Sequence, residues 1–312
     1  MTATTTAPVA APSVHAEKRP AGRMRAWATR APLLPALIFM IAVTQLPFVA
    51  TLVISFFDWN SLYPDARSFT GFGNYSEVLT DAALRKSVWT TILLTVTVVL
   101  ASLILGLVLA LLLDRRFRGR GFVRTLLIAP FLVVPVAAAL LWKHVLYNPE
   151  YGLLNGLLHY VGGPQPDWIS NTPLLAVEMS LVWQWTPFMM LILLAGLQSR
   201  DHQQIEAAKV DGASDWQVFR YLTLPHLRRY LELGALLGSI YIVQNFDAVF
   251  TITSGGLGTA NLPYTVYQSF YQAHENGLAS AAGVLVVIGS IIIATFALRV
   301  VSSLFREEVG RA

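Results

Sequence analysis

Of 312 residues, 55% are hydrophobic and only 13% charged, well below the roughly 25% charged of a soluble domain, which marks a membrane protein. The chain has no cysteine, so disulfides and thiolate metal sites are excluded. A formal charge of +4 would suit a nucleic acid, but its distribution along the chain points to the bilayer instead.

Residues 1–30 mix Thr, Ala, Pro and Val with little periodicity and read as a disordered basic cytoplasmic tail. Lys18, Arg19, Arg23, Arg25 and Arg30 lead into an apolar run at 31–57, long enough for a hydrocarbon core that needs about 20 residues. A cleaved signal peptide is the competing reading, but the run is too long and has no small-residue cleavage site. Five further runs follow at 88–113, 123–142, 174–197, 231–250 and 278–298, giving six predicted spans before a short tail at 306–312. The loops at 58–87 and 143–173 carry aromatic, Gly, Pro and Asn residues, as expected of turns and short helices at an interface. Eighteen Lys and Arg fall on one side of this arrangement, against Arg67, Arg85, Lys86 and Lys143 on the other. Basic residues near spans resist translocation, so both termini and the polar stretch 198–227 are expected in the cytoplasm.

That stretch is a polar island between apolar runs. Asp201 is placed to cap a helix, with Gln204 as its reciprocal partner and Gly212 as a left-handed stop. Ser214 and Gln217 repeat the capping-box spacing, and Pro225 lacks the amide a continuing helix needs. The expectation is two short helices joined at Ala213, a rigid knob suited to docking.

The residues of this knob, Glu206-Ala207-Ala208, Asp211-Gly212-Ala213, Trp216, Phe219 and Thr223-Leu224-Pro225, resemble the EAA loop of binding-protein-dependent ABC importer permeases. Trp185-Thr186-Pro187-Phe188, Phe246-Asp247 and Asn74-Tyr75 extend the resemblance to carbohydrate permeases of the maltose and glycerol-phosphate type, over roughly residues 32–305. Leu222 and Arg229 depart from the usual pattern. The resemblance implies an all-α integral membrane protein of six transmembrane helices, the type I importer permease fold, in a bacterial inner membrane. It assigns Glu206 to face an ATPase and Gly212 to make the turn, with Ala207, Ala208, Asp211, Leu224 and Pro225 completing the coupling patch. The implied partners are a second permease chain, an ATPase dimer carrying ATP and Mg, and an extracytoplasmic solute-binding protein. The implied cargo is a sugar or polyol, with residues 115–158 looking closest to sorbitol and mannitol permeases.

Within the chain itself, catalytic chemistry is not legible. Among four lysines only Lys86 precedes a Ser or Thr, and Arg85 stands where a phosphate-binding loop requires Gly. The six histidines form no HExxH, and no Gly-x-Ser-x-Gly elbow occurs, so no metal, cofactor or nucleophile site is expected. Polar groups inside spans are costly and usually face a cavity or another helix. Gln244 and Asn245, near Tyr241 and Phe250, and Trp183 and Trp185 before Pro187, are therefore the candidate lining of a solute path. Amides would bond hydroxyls there and aromatic faces would cover C–H surfaces. Asp247 is read as structural. An ion-coupled secondary transporter is the alternative; it would need buried ionisable groups, and the spans hold only Glu178, Glu232 and Asp247 near their ends.

Overall fold

The computed structural model describes residues 31–309, so the predicted tail at 1–30 and residues 310–312 lie outside the described residues. The chain divides into a unit ending at Ala50 and one beginning at Thr51. The first holds a 3-10 turn at Ala31–Leu33 and most of helix α1, Leu34–Ile54, whose mean hydropathy of 2.3 suits a membrane span. The Thr44 hydroxyl returns to the Met40 carbonyl at 2.7 Å, which hides its polarity inside the helix.

The second unit opens with a short antiparallel ladder, β1 (Phe57–Asp58) on β2 (Ser68–Phe69), a minor departure from an all-helical expectation. Helix α2 (Gly73–Thr80) follows. Its Asn74 is buried and donates to the carbonyls of Ser55 at 2.8 Å and Phe57 at 2.9 Å, while Tyr75 OH meets Ser55 Oγ at 2.6 Å. The Asn-Tyr pair thus staples the first loop to the chain leaving α1.

Helix α3 (Ala82–Asp114) is capped by Asp81, whose side chain accepts from Leu84 N at 2.9 Å. It packs most extensively against α8 (Pro173–Gln198). In lipid this pairing depends on close van der Waals fit rather than escape from water, and small residues set the approach. A Cβ on Gly106 would lie 2.8 Å from Met189 Cβ and 2.9 Å from Met190 N, so only glycine admits the α8 backbone there. Leu94, Val98 and Leu113 of α3 and Leu181, Met189, Met190, Leu193 and Leu197 of α8 form the centre of the core.

The predicted third span is two helices, α4 (Arg120–Leu132) and α5 (Pro135–Leu141), bent by 101°. Pro135 disfavours helical backbone at the residue before it, and Val133 and Val134 are extended. A π-turn at Trp142–Leu146 leads to α6 (Leu153–Tyr160) and α7 (Trp168–Asn171), the short helices expected of that loop. Helix α8 runs through Pro187 without interruption.

Beyond α8 come α9 (His202–Val210) and α10 (Asp215–Val218). A π-turn at Phe219–Thr223 then passes directly into α11 (Leu224–Val243). The predicted fifth span is broken as well: α11 ends at Val243, and α12 (Asp247–Thr253) departs at 50°. Helix α13 (Leu262–Tyr267) is not among the predicted elements, and α14 (Asn276–Val309) closes the described chain and continues through 306–309. Among the described residues, four helices are long and apolar enough to cross a membrane, and six spans result when each bent pair is taken as one. Helix α11 packs on α3, α8 and α14, so the knob between α8 and α11 is rooted in the centre of the bundle.

Candidate functional site

The knob is built largely by capping chemistry. Asp201 caps α9, accepting from Gln203 N at 2.9 Å; the reciprocal bond expected from Gln204 is not the one that forms. At the other end Gly212 has φ +87°, Gly212 N donates to Lys209 O at 3.1 Å and Ala213 N to Ala208 O at 2.9 Å. These two bonds are the paired closure of a Schellman turn, which satisfies carbonyls the helix leaves free. Ser214 and Gln217 form the predicted capping box in both directions, and Lys209 Nζ bridges the turn to Asp215 Oδ1 at 2.9 Å.

The second helix is not a separate short element ended by Pro225, because the π-turn widens the helix just before it. Pro225 falls in the first turn of α11, where a missing amide is tolerated. The chain is helical from Asp215 to Val243, so the knob is the foot of the fifth span. Glu206, Ala207, Asp211, Gly212 and Pro225 are exposed, Ala208 and Leu224 partly so. Trp216 is 66% exposed and stacks near Phe219 at 5.6 Å, an apolar surface with no cover among the described residues.

The candidate path residues separate into three groups. Trp185 stacks on Tyr241 at 5.2 Å, and Phe131 and Phe188 complete this cluster across α4, α8 and α11. Tyr241 remains 54% exposed, so the cluster presents an aromatic face. Phe250 belongs to another cluster with Phe246, Tyr264 and Tyr267. Trp183 lies apart from both, edge-on to Trp142 at 5.9 Å beside a mostly apolar cavity of about 1020 Å³ that also holds Glu178. The Glu178 carboxylate accepts from Thr97 at 2.7 Å.

Gln244 and Asn245 sit at the break between α11 and α12. Gln244 is exposed and turns its amide back to Ile240 O at 3.1 Å, whereas Asn245 Oδ1 is buried without a bonded partner. The carbonyl of Asn245, released by the break, accepts from Asn261 Nδ2 at 2.6 Å. The other break is satisfied in the same manner: Gln184, buried in α8, donates to Val133 O at 3.1 Å. Free backbone groups are costly in hydrocarbon, and each break survives because a buried amide reaches it. The sequence reading assigns this role neither to Gln184, which lies between Trp183 and Trp185, nor to Asn261.

A bundle of helices long and apolar enough to cross a membrane, with two satisfied breaks and an exposed polar foot on one span, has the architecture of a multi-pass membrane protein. The chain belongs to the family described as binding-protein-dependent transport system inner membrane component, which matches residues 102–307. It is 35% identical over 292 residues to the probable ABC transporter permease protein y4oQ of Sinorhizobium fredii, covering 92% of this chain and 93% of that one. It is 33% identical to the trehalose/maltose transport system permease protein MalF of Thermococcus litoralis, over 82% of this chain and 87% of the relative. The trehalose transport system permease protein SugA of Mycobacterium tuberculosis is 32% identical, with 84% of each chain covered. In fold it matches a chain of a bacterial alginate ABC transporter with a TM-score of 0.76, covering 91% of this chain and 96% of that one at 20% identity. The type I importer permease fold is therefore the fold of this chain, and the inner membrane its place.

Proposed function

We propose that this chain is the permease subunit of an ATP-driven importer for a carbohydrate, a sugar or a polyol, working by alternating access. The reading rests foremost on the exposed knob, whose second helix is continuous with α11: a push on Trp216 has a helical route into the bundle, and one on Glu206 or Asp211 joins it through the closed turn at Gly212. The trehalose and maltose permeases among its relatives favour a sugar as cargo. A separate ATPase dimer holds ATP and Mg and docks on Glu206, Ala207, Ala208, Asp211, Gly212, Leu224 and Pro225, a second permease chain completes the path, and a solute-binding protein delivers cargo to the face opposite the knob. Both termini lie on the knob's side, in the cytoplasm. Within the path, Trp185 and Tyr241 supply aromatic faces for sugar C–H surfaces and Gln244 an amide for hydroxyls, while Trp183 stands apart with Trp142.

Co-purification from the native membrane, followed by uptake of trehalose, maltose and sorbitol into vesicles with and without internal ATP, tests the reading. An ATPase bound to the chain and uptake that requires ATP are expected. A chain that purifies alone and transports in ATP-depleted vesicles would overturn it in favour of ion coupling.

A further inference from the structure

Between the knob and the bundle lies a polar junction that the coupling patch does not include. Arg200 occupies the linker from α8 to α9, with its side chain only 14% exposed. All three of its guanidinium nitrogens are engaged, each with a different element. Nε donates to Leu197 O at 2.9 Å, at the end of α8. Nη1 donates to Thr223 Oγ1 at 2.9 Å, in the π-turn that begins the fifth span. Nη2 pairs with Asp114 Oδ2 at 2.5 Å, on the last residue of α3. Thr223 is 2% exposed, so its hydroxyl is committed to this contact.

We propose that Arg200 is a positioning residue that locks the inner ends of α3, α8 and α11 to the knob, so that a displacement of the knob reaches all three helices at once. This rests on the coupling role proposed above and extends it. The knob is covalently attached only to α8 and α11; α3 has no chain connection to it, and Asp114 stands 86 residues from Arg200 in sequence. The planar fork fixes direction as well as distance, which a lysine ammonium does not. Neighbouring bonds support the α8–α11 side alone: Ser199 Oγ meets Tyr230 OH at 2.8 Å and His226 Nε2 at 3.1 Å. Side-chain packing already joins α3 to α8 and α11, and Arg200 adds a directed polar tie between the last residue of α3 and the knob's linker.

The absence of cysteine makes the test direct, since two introduced cysteines are the only labelling sites on this chain. Spin labels at Gln203→Cys on the exposed face of α9 and Leu112→Cys on the exposed face of α3 report knob-to-helix distance in the assembled complex, without nucleotide and with ATP and Mg. With Arg200 intact, the distance distribution should stay narrow and keep its centre in both states. Arg200→Ala and Asp114→Asn should shift or broaden it when ATP binds, with complex yield and ATP hydrolysis retained, and Arg200→Lys should fall between. The strut is overturned if the variants keep the wild-type distribution, or if the wild-type distance itself moves as far as theirs. It is also overturned if Asp114→Asn, which preserves shape, abolishes assembly, because the pair then serves folding alone. A wild-type chain that recruits no ATPase overturns the coupling reading and the strut together, whereas recruitment with unchanged variant distances removes the strut only.

Discussion

Replacing Gly212 isolates one physical quantity, because a Cβ there would meet nothing within 4 Å. The whole penalty of a side chain is therefore the left-handed backbone, φ +87°, with no steric term from neighbours. For alanine that is about 1–2 kcal/mol, and a β-branched residue costs more because its side chain crowds the following carbonyl. One or two kcal/mol is a factor of roughly 5–30 in a two-state ratio, so Gly212→Ala should weaken recruitment of the ATPase by about that much if docking needs the closed turn. Asparagine enters the left-handed region readily and serves as the control. The assay is retention of the ATPase on the purified chain across a dilution series, with the expected order wild type, Gly212→Asn, Gly212→Ala, Gly212→Val. Equal retention by Gly212→Val and wild type would refute the turn as a docking requirement. Equal losses for asparagine and valine would refute backbone angle as the cause.

Changing Gln244 and Asn245 together to Leu should lower sugar uptake while the complex still assembles; unchanged uptake in vesicles would return both to helix packing. Asn261→Ala should lower the thermal midpoint of the purified complex, since it strands the Asn245 carbonyl, a loss of about 1–3 kcal/mol for an unsatisfied buried group. It also removes the acceptor for Tyr264 N, and Asn261→Ser, a capping residue too short to reach the Asn245 carbonyl, separates the two effects by a smaller drop. Glu275 is held above the ordinary carboxylate range, first by partial desolvation and then by the nearby carboxylates of Glu77 and Asp58. A raised acid is destabilising once ionised, so Glu275→Gln should raise the thermal midpoint at pH 7, and the gain should vanish as pH falls below about 4.5, where both folded and unfolded forms are protonated. A midpoint difference independent of pH would count against that origin.

The parts of the fold legible in the sequence were those written in local chemistry. The apolar runs at 88–113 and 174–197 lie within α3 and α8, because nothing but length and hydropathy is needed to specify them. Asp201, Gly212, Ser214 and Gln217 announced the knob, since a cap is a bond between residues two or three apart. Pro225 misled because its effect depends on what precedes it. A proline stops a regular helix, but the π-turn at Phe219–Thr223 absorbs the missing amide, and no local pattern marks where a helix will widen.

The two breaks were harder to see, although their compensating residues stood in plain view. Pro130 and Pro135 are residues that bend a helix, yet a 101° turn exposes carbonyls that only another part of the chain can satisfy. Gln184 does so from 51 residues away, and Asn261 reaches Asn245 across 16. In an apolar span an amide side chain has four bonding positions and few local partners, so its presence is itself evidence that some distant backbone group lacks one. Gln184 is not assignable to this role from the sequence, which offers the amide without the carbonyl it serves. The same reasoning separates the remaining pair. Asn245 contributes its carbonyl to the break, with its own side-chain oxygen buried, whereas Gln244 is exposed and bonded only to its own helix. Of the two, Gln244 is the amide free to exchange that internal bond for a solute hydroxyl, so Gln244→Leu alone should carry most of the loss in uptake, whereas Asn245→Leu, which keeps the backbone carbonyl bonded to Asn261 and removes a side-chain oxygen without a partner, should leave uptake close to wild type.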